Sequence, residues 1–181
     1  MRQWKALFSS RKIPVKLASS SGFWGGEPVS LDLPEFQELD VTKVAERKAA
    51  MAFAELRRPV MVDDSGLVIA AWNGLPGALV SWFLDSVGNV GLIRMMAGWP
   101  DRSAQVVTAI GYCDEGGTQV FVGTVEGKIA PEEAGSNGFG YDPIFIPGGH
   151  DQTFAQLSDD EKDAISMRRR ALDKARSALK L

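Results

Sequence analysis

Apolar and polar positions along the chain change period several times, and those changes mark the elements. Over Val41–Leu56 the positions Val44, Lys48, Met51 and Leu56 approximate one helical face, and Ala49, Ala50, Ala52 and Ala54 are strong helix formers, which predicts a helix. Arg57-Arg58-Pro59 ends it, because proline cannot continue the hydrogen-bond ladder. Val60-Met61-Val62 then predicts a short buried strand that delivers Asp63-Asp64-Ser65-Gly66 to a loop at its C-terminal end, where open α/β sheets commonly bind ligands. Gly74-Leu75-Pro76-Gly77 predicts a turn, followed by helical segments over Leu79–Val87 and Val90–Met96. Gln105–Cys113 and Gln119–Val125, with Gly116-Gly117 between them, predict a β-hairpin whose second strand continues or ends over Glu126–Ile129. Gly138–Pro147 predicts a glycine loop running into an apolar strand. From Ser158 onward a helix cap, an acidic first turn and a basic remainder predict one last helix whose charge order suits the helix dipole.

Composition narrows the classes without choosing one. The 181 residues suit a single domain, 1–181, or two closely joined lobes, and the chain is long enough to bury about 70% of its unfolded surface. A net charge of -3 argues against broad coating of nucleic acid, which needs many uncompensated cations. The single cysteine, Cys113, excludes an internal disulfide and fits a reducing, cytoplasmic setting. The start of the chain lacks the apolar core of a signal peptide, and no apolar run approaches the ~18 residues of a membrane span. Ser19–Pro28, rich in Ser and Gly, predicts a loop. With one histidine, His150, expected on an exposed loop, a His/Cys zinc site or a Cys-His nucleophile has little support. No Walker-type Gly-x4-Gly-Lys-Ser/Thr loop is present.

The candidate chemistry lies in carboxylates and cations. Asp63 and Asp64 are neighbours, and two adjacent carboxylates in a cleft are unfavourable without a cation. Magnesium suits such a site, because it needs few carboxylates and shares its remaining positions with water and phosphate. A solvated Asp-Asp-Ser-Gly turn is the plain alternative. Glu35, framed by Leu33-Pro34 and Phe36, is either a third oxygen donor or a surface glutamate. Phe139-Gly140-Tyr141-Asp142 joins an aromatic ring, a glycine and a carboxylate, which fits a purine site or, equally, a tight turn with its rings in the core. On the last helix Lys162 and Arg169 share a face by spacing and Arg168 lies near it, as phosphate or base ligands or as a solvated basic face.

In order along the chain, LPEFQ, VMVDDSGL, NGLPG with SWFL, the hairpin, GFGYDPIFIP and TFAQLSDDEKDAIS resemble the inosine-triphosphatase family of non-standard purine NTP pyrophosphatases. The likeness runs from Leu33 to Leu172, and each segment alone is weak while all six in order are specific. It implies an elongated α/β fold, with a central mixed β-sheet flanked by helices and two lobes around a cleft, as a homodimer. It implies a nucleoside triphosphate as substrate, Mg2+ as cofactor, and attack of water at the α-phosphate to give monophosphate and pyrophosphate. It makes Glu35 and Asp64 metal ligands, Asp64 the general base with Asp63 assisting, and Ser65 a triphosphate contact. It gives Lys48 and Lys162 to phosphate or substrate, and Phe139, Gly140, Tyr141, Asp142 and Arg168 to the base.

Three departures bear on substrate. The family opens with a strand and a Thr/Ser-Gly/Ser-Asn-x-x-Lys loop that grips the triphosphate. The stretch matched to it is Phe8-Ser9-Ser10-Arg11-Lys12, with Ser10 and Lys12 as the candidate contacts, while a rival placement uses Ser19-Ser20-Ser21-Gly22. The family's Ser-His-Arg reads Ser166-Met167-Arg168, and methionine cannot donate a hydrogen bond to a 6-keto purine. Ser81 replaces a lysine found in some members. Loss of one such charge-assisted bond weakens binding by about 1.5–3 kcal/mol. The metal chemistry is expected to persist with altered base selectivity. A nucleotide-binding homologue with weak catalysis, or the same chemistry on another modified nucleotide, are the alternatives.

Overall fold

A computed structural model describes residues 10–17, 28–34 and 36–180. Seven strands form one sheet in the order β2-β1-β3-β5-β6-β7, with the short β4 added to β3. The strands are β1 (Ser10–Leu17), β2 (Pro28–Pro34), β3 (Val60–Ile69), β4 (Pro76–Gly77), β5 (Ser103–Asp114), β6 (Gly117–Ile129) and β7 (Phe145–Pro147). The α/β class with a central sheet and flanking helices is as expected. The expected mixed sheet is, among the described residues, antiparallel in every pairing.

The hairpin of β5 and β6 is the longest pairing, from Ser103↔Lys128 to Asp114↔Gly117. Its two-residue turn, Glu115-Gly116, is followed by Gly117 at φ 111°, a left-handed value that glycine adopts without strain. The strand expected to stop at Val62 instead runs on to Ile69. Every residue of it pairs with β5, so Asp63 faces Ile110 and Asp64 faces Ala109 across the ladder. The two carboxylates are therefore in mid-strand, not on a terminal loop.

Helices cover both faces. Helix α1 (Val41–Leu56) has the predicted bounds: the Asp40 side chain accepts from Thr42 N–H, and Arg57 closes the other end in the left-handed region. It buries Val41, Val44, Ala45, Ala49 and Ala52. Gly111 on β5 lets it approach, since a Cβ there would meet the carbonyl oxygen of Ala45. Helix α2 (Val80–Met95) is broken at Gly88, which has φ 66° and ψ -178°, in agreement with the two predicted segments.

The single last helix is in fact two. Helix α3 (Asp159–Ile165) begins with the Ser158–Glu161 capping box. Ser166 then takes an extended conformation (φ -65°, ψ 150°) and its hydroxyl caps α4 (Met167–Leu179) by accepting from Arg169 N–H. Lys162 and Arg169, expected on one helical face, consequently sit on different helices, and Arg169 pairs with Asp173 at the surface. Helix α4 packs on the other side of the sheet from α1, over Met61, Ile110 and Tyr112 through Ala171, Leu172 and Ala175. Among the described residues no helix is long and apolar enough to cross a membrane.

Candidate active site

Successive side chains of a strand point to opposite faces, so β3 sends Asp63 and Asp64 to different sides of the sheet. Val60 and Val62 pack with Ala49 and Ala52 of α1, which places Asp64 on that face. Met61 packs with α4, which places Asp63 and Ser65 on the other. Adjacent in sequence, the two aspartates therefore do not share a face of the sheet. Asp64 accepts a hydrogen bond from Lys48 Nζ at 2.9 Å, and both side chains are largely buried. Asp63 Oδ2 accepts from Arg168 Nε at 3.2 Å and Nη2 at 3.0 Å in a half-exposed pair.

The two faces meet at a gap in the sheet. On the edge away from β5, β1 pairs with β3 only at Val60 and Met61, and β4 only at Leu67 and Val68. Between these, residues 62–66 of β3 have no strand partner on that edge among the described residues. Along this stretch Asp64 with Lys48 lies on one face of the sheet, and Asp63, Ser65 and Arg168 lie on the other. Ser65 Oγ lies 2.7 Å from Thr108 Oγ1, its cross-strand neighbour.

The aromatic loop stands beside this gap. Gly138 (φ 76°) and Gly140 (φ 63°) turn it, and a Cβ on Gly138 would collide with the Asp142 carboxylate. Asp142 Oδ2 accepts from Phe139 N–H and from Lys162 Nζ, each at 2.6 Å. The Phe139 ring is 61% exposed and has two cations against it, Lys162 Nζ at 4.8 Å and the Arg168 guanidinium at 5.5 Å from its centroid. Of the four residues expected to frame a base, Phe139 and Gly140 face solvent, while Tyr141 and Asp142 are buried behind them. The Tyr141 hydroxyl donates to the Gly66 carbonyl at 3.4 Å. Burial pushes the Tyr141 phenol far above its ordinary value; the Asp142 and Asp64 charges add to this and Arg168 opposes it. A cavity of about 630 Å³ opens here, with Phe139, Lys162, Ser166, Met167 and Arg168 in its wall. Met167 is 4% exposed and packs into the core that holds Tyr141 and Phe154.

Two of the remaining predicted positions move. Ser10 and Lys12 belong to β1 and not to a loop after it, because β1 runs to Leu17. The rival stretch, Ser19–Gly22, lies outside the described residues. Glu35 also lies outside them. His150 is exposed, as expected. Sequence reasoning missed Thr108 and Asn89. Thr108 is a hydroxyl within the apolar run Val106–Tyr112, a legible signal; Asn89, which donates to the Gly140 carbonyl at 2.9 Å, follows the Gly88 break and had none.

Among the described residues no group of three His, Cys, Asp or Glu side chains could hold a metal. Magnesium does not require one, since one or two carboxylates and substrate phosphates commonly complete its shell. Asp64, on the α1 face, could supply one such oxygen, while Asp63 lies on the other face in its pair with Arg168.

The Ham1 family model matches residues 1–178, and the chain belongs to that family. It is 44% identical over 149 residues to the dITP/XTP pyrophosphatase of Methanopyrus kandleri, covering 82% of this chain and 79% of that one. It is 44% identical over 147 residues to the inosine triphosphate pyrophosphatase of Yarrowia lipolytica, covering 80% and 77%. The structure of the Staphylococcus aureus Ham1 protein superposes with a TM-score of 0.77 at 36% identity, over 83% of this chain and 81% of that one.

Proposed function

We propose that this chain hydrolyses non-standard purine nucleoside triphosphates (ITP, dITP and XTP) to the monophosphate and pyrophosphate; its relatives are named dITP/XTP pyrophosphatase and inosine triphosphate pyrophosphatase. The observation that carries the proposal is the gap along β3, where Asp63 and Asp64 border one opening from two faces with Lys48 and Arg168 beside them. In this reading Phe139 stacks the base and Asp142 with Lys162 holds the loop that presents it. Ser65, Lys48 and Arg168 line the path of the phosphates.

Lys48 fixes one oxygen of Asp64, which orients the carboxylate toward the attacking water. The water oxygen forms a bond to the α-phosphorus, its proton passes to Asp64, and the bond from the α-phosphorus to the bridging oxygen breaks. Pyrophosphate leaves with that electron pair. Asp64 with Glu35 would hold Mg2+, which when bound neutralises phosphate charge and makes phosphorus more electrophilic. Base selectivity is looser than a histidine at position 167 would give, because Met167 offers no donor. The enzyme is proposed to act in the cytoplasm as a homodimer; a single-chain mass by light scattering would count against the dimer.

The test is pyrophosphate release with magnesium across ITP, dITP, XTP and the common purine and pyrimidine triphosphates. Asp64→Asn is expected to lower turnover by about 10²–10⁴-fold, the usual worth of a positioned general base. Undiminished turnover in that variant refutes the assigned base. Calorimetric binding without turnover points to a non-catalytic homologue, and preference for a pyrimidine points to a different modified nucleotide.

A further inference from the structure

We infer that Thr108 is a positioning residue that sets the direction in which the Ser65 hydroxyl donates, so that Ser65 presents its proton to a phosphate oxygen at the gap in β3. The inference rests on the function proposed above and adds a residue to that site.

Three strands place three side-chain positions in one row on the α4 face: Ser65 opposite Thr108, and Thr108 opposite Gly123. At one end of the row Gly123 has no side chain. A Cβ there would meet the Met167 carbonyl and lie 2.5 Å from Ala171 N, so the backbone of α4 seals that end. At the other end Ser65 sits in the stretch of β3 that has no strand partner on its outer edge among the described residues. Thr108 lies between a closed end and an open one. It is 0% exposed, and among the described residues the partner of its hydroxyl is Ser65 Oγ, at 2.7 Å.

The chemistry of hydroxyls decides the direction. A hydroxyl carries one proton and two lone pairs. A buried hydroxyl proton without an acceptor costs free energy, and among the described residues the hydrogen-bond partner of the Thr108 hydroxyl is Ser65 Oγ. Thr108 therefore donates, and Ser65 accepts. Ser65 keeps its own proton for a group outside the row, on the open side. Phosphate oxygens are acceptors only, so a triphosphate entering the gap is the matching ligand, and the Ser65 proton needs no reorganisation to meet it. If the bond ran the other way, Ser65 would offer the ligand lone pairs, which a phosphate repels.

The experiment is a double-mutant cycle of Ser65→Ala and Thr108→Val, with Thr108→Ser as rescue. Valine keeps the branched shape in the strand and removes the proton. Steady-state pyrophosphate release from ITP is measured with magnesium, alongside calorimetric Kd for inosine 5′-(α,β-methylene)triphosphate. Thr108→Val is expected to raise KM and Kd about tenfold with little change in kcat, about 1.4 kcal/mol of uniform binding. Thr108→Ser is expected to restore both. In the Ser65→Ala background Thr108→Val is expected to have no further effect, because its action passes through Ser65. Equal KM and Kd in Thr108→Val and wild type overturn the inference, and so does an undiminished effect in the Ser65→Ala background. If wild type binds the analogue but releases no pyrophosphate, the proposed hydrolysis fails, and the Kd cycle alone decides the role of Thr108. If wild type binds no triphosphate, both fail.

Discussion

Lys162→Met is the most informative single perturbation, because it separates what holds the aromatic loop from what binds substrate. The Lys162 ammonium lies 2.6 Å from Asp142 Oδ2, with side-chain exposures of 12% and 2%. Methionine keeps much of the stem and removes the charge. Asp142 is then a carboxylate in the interior whose remaining hydrogen-bond partner among the described residues is the Phe139 N–H. Breaking a buried pair from one side costs about 3–5 kcal/mol, since the surviving charge is left uncompensated. Cation–π contacts to Phe139 at 4.8 Å and Phe154 at 5.8 Å are lost as well. For a domain of this length 1 kcal/mol moves Tm by about 2–4 °C, so the expected fall is about 6–20 °C. The assay is thermal melting by circular dichroism, with urea unfolding as the equilibrium measure. The double variant Lys162→Met/Asp142→Asn provides the control. Its amide oxygen still accepts from Phe139 and leaves no charge behind, so it is expected to regain more than half of the loss. A Lys162→Met protein that melts within 2 °C (about 1 kcal/mol or less) of wild type refutes the reasoning, as does a double variant no better than the single one.

Gly123→Ala forces the backbone of α4 off β6, because its Cβ would lie 2.5 Å from Ala171 N; a loss of about 1–3 kcal/mol or more is expected in urea unfolding, and unchanged stability would contradict the close approach. Both tyrosines, Tyr112 and Tyr141, have phenols held above the ordinary value of 10.0, chiefly by burial. The folded state therefore keeps protons that the unfolded state releases, so stability is full below pH 10.0 and falls as pH rises, by up to about 1.4 kcal/mol per pH unit for the fully buried Tyr141. Absorbance at 295 nm is expected to show less tyrosinate at pH 10 in the native protein than in the unfolded chain, and equal amounts in the two sink this prediction. Met167→His is expected to sharpen discrimination in favour of 6-keto purines by restoring a donor at the cavity wall, read as the ratio of kcat/KM for ITP over ATP; an unchanged ratio counts against the account of base reading.

Where a signal is local, it was legible. Helix α1 has its predicted bounds because Asp40 caps its start and Arg57 and Pro59 close its end, all within one turn of the helix. The hairpin follows from glycines between two apolar runs, and the start of α3 from the Ser158 cap. The acidic cluster and the aromatic loop were also identifiable as candidates, because Asp63-Asp64 and Phe139–Asp142 are contiguous in the chain. Ser166 carries a cap signal too, but the helix-forming residues on both sides of it mask that signal in the local pattern, and the break is visible only in the backbone.

What the chain by itself determined, then, was the identity of the reactive groups and the elements that neighbours a few residues apart can nucleate. Tertiary structure alone decided that β3 runs through its carboxylates and that Asp63 and Asp64 part to opposite faces. It alone leaves residues 62–66 of β3 without a strand partner between β1 and β4 among the described residues, and sets Thr108 behind Ser65. The physical reason is that strand length, pairing and register are set by partners on β5, about 45 residues away across the ladder, whose hydrogen bonds leave no mark on the local pattern.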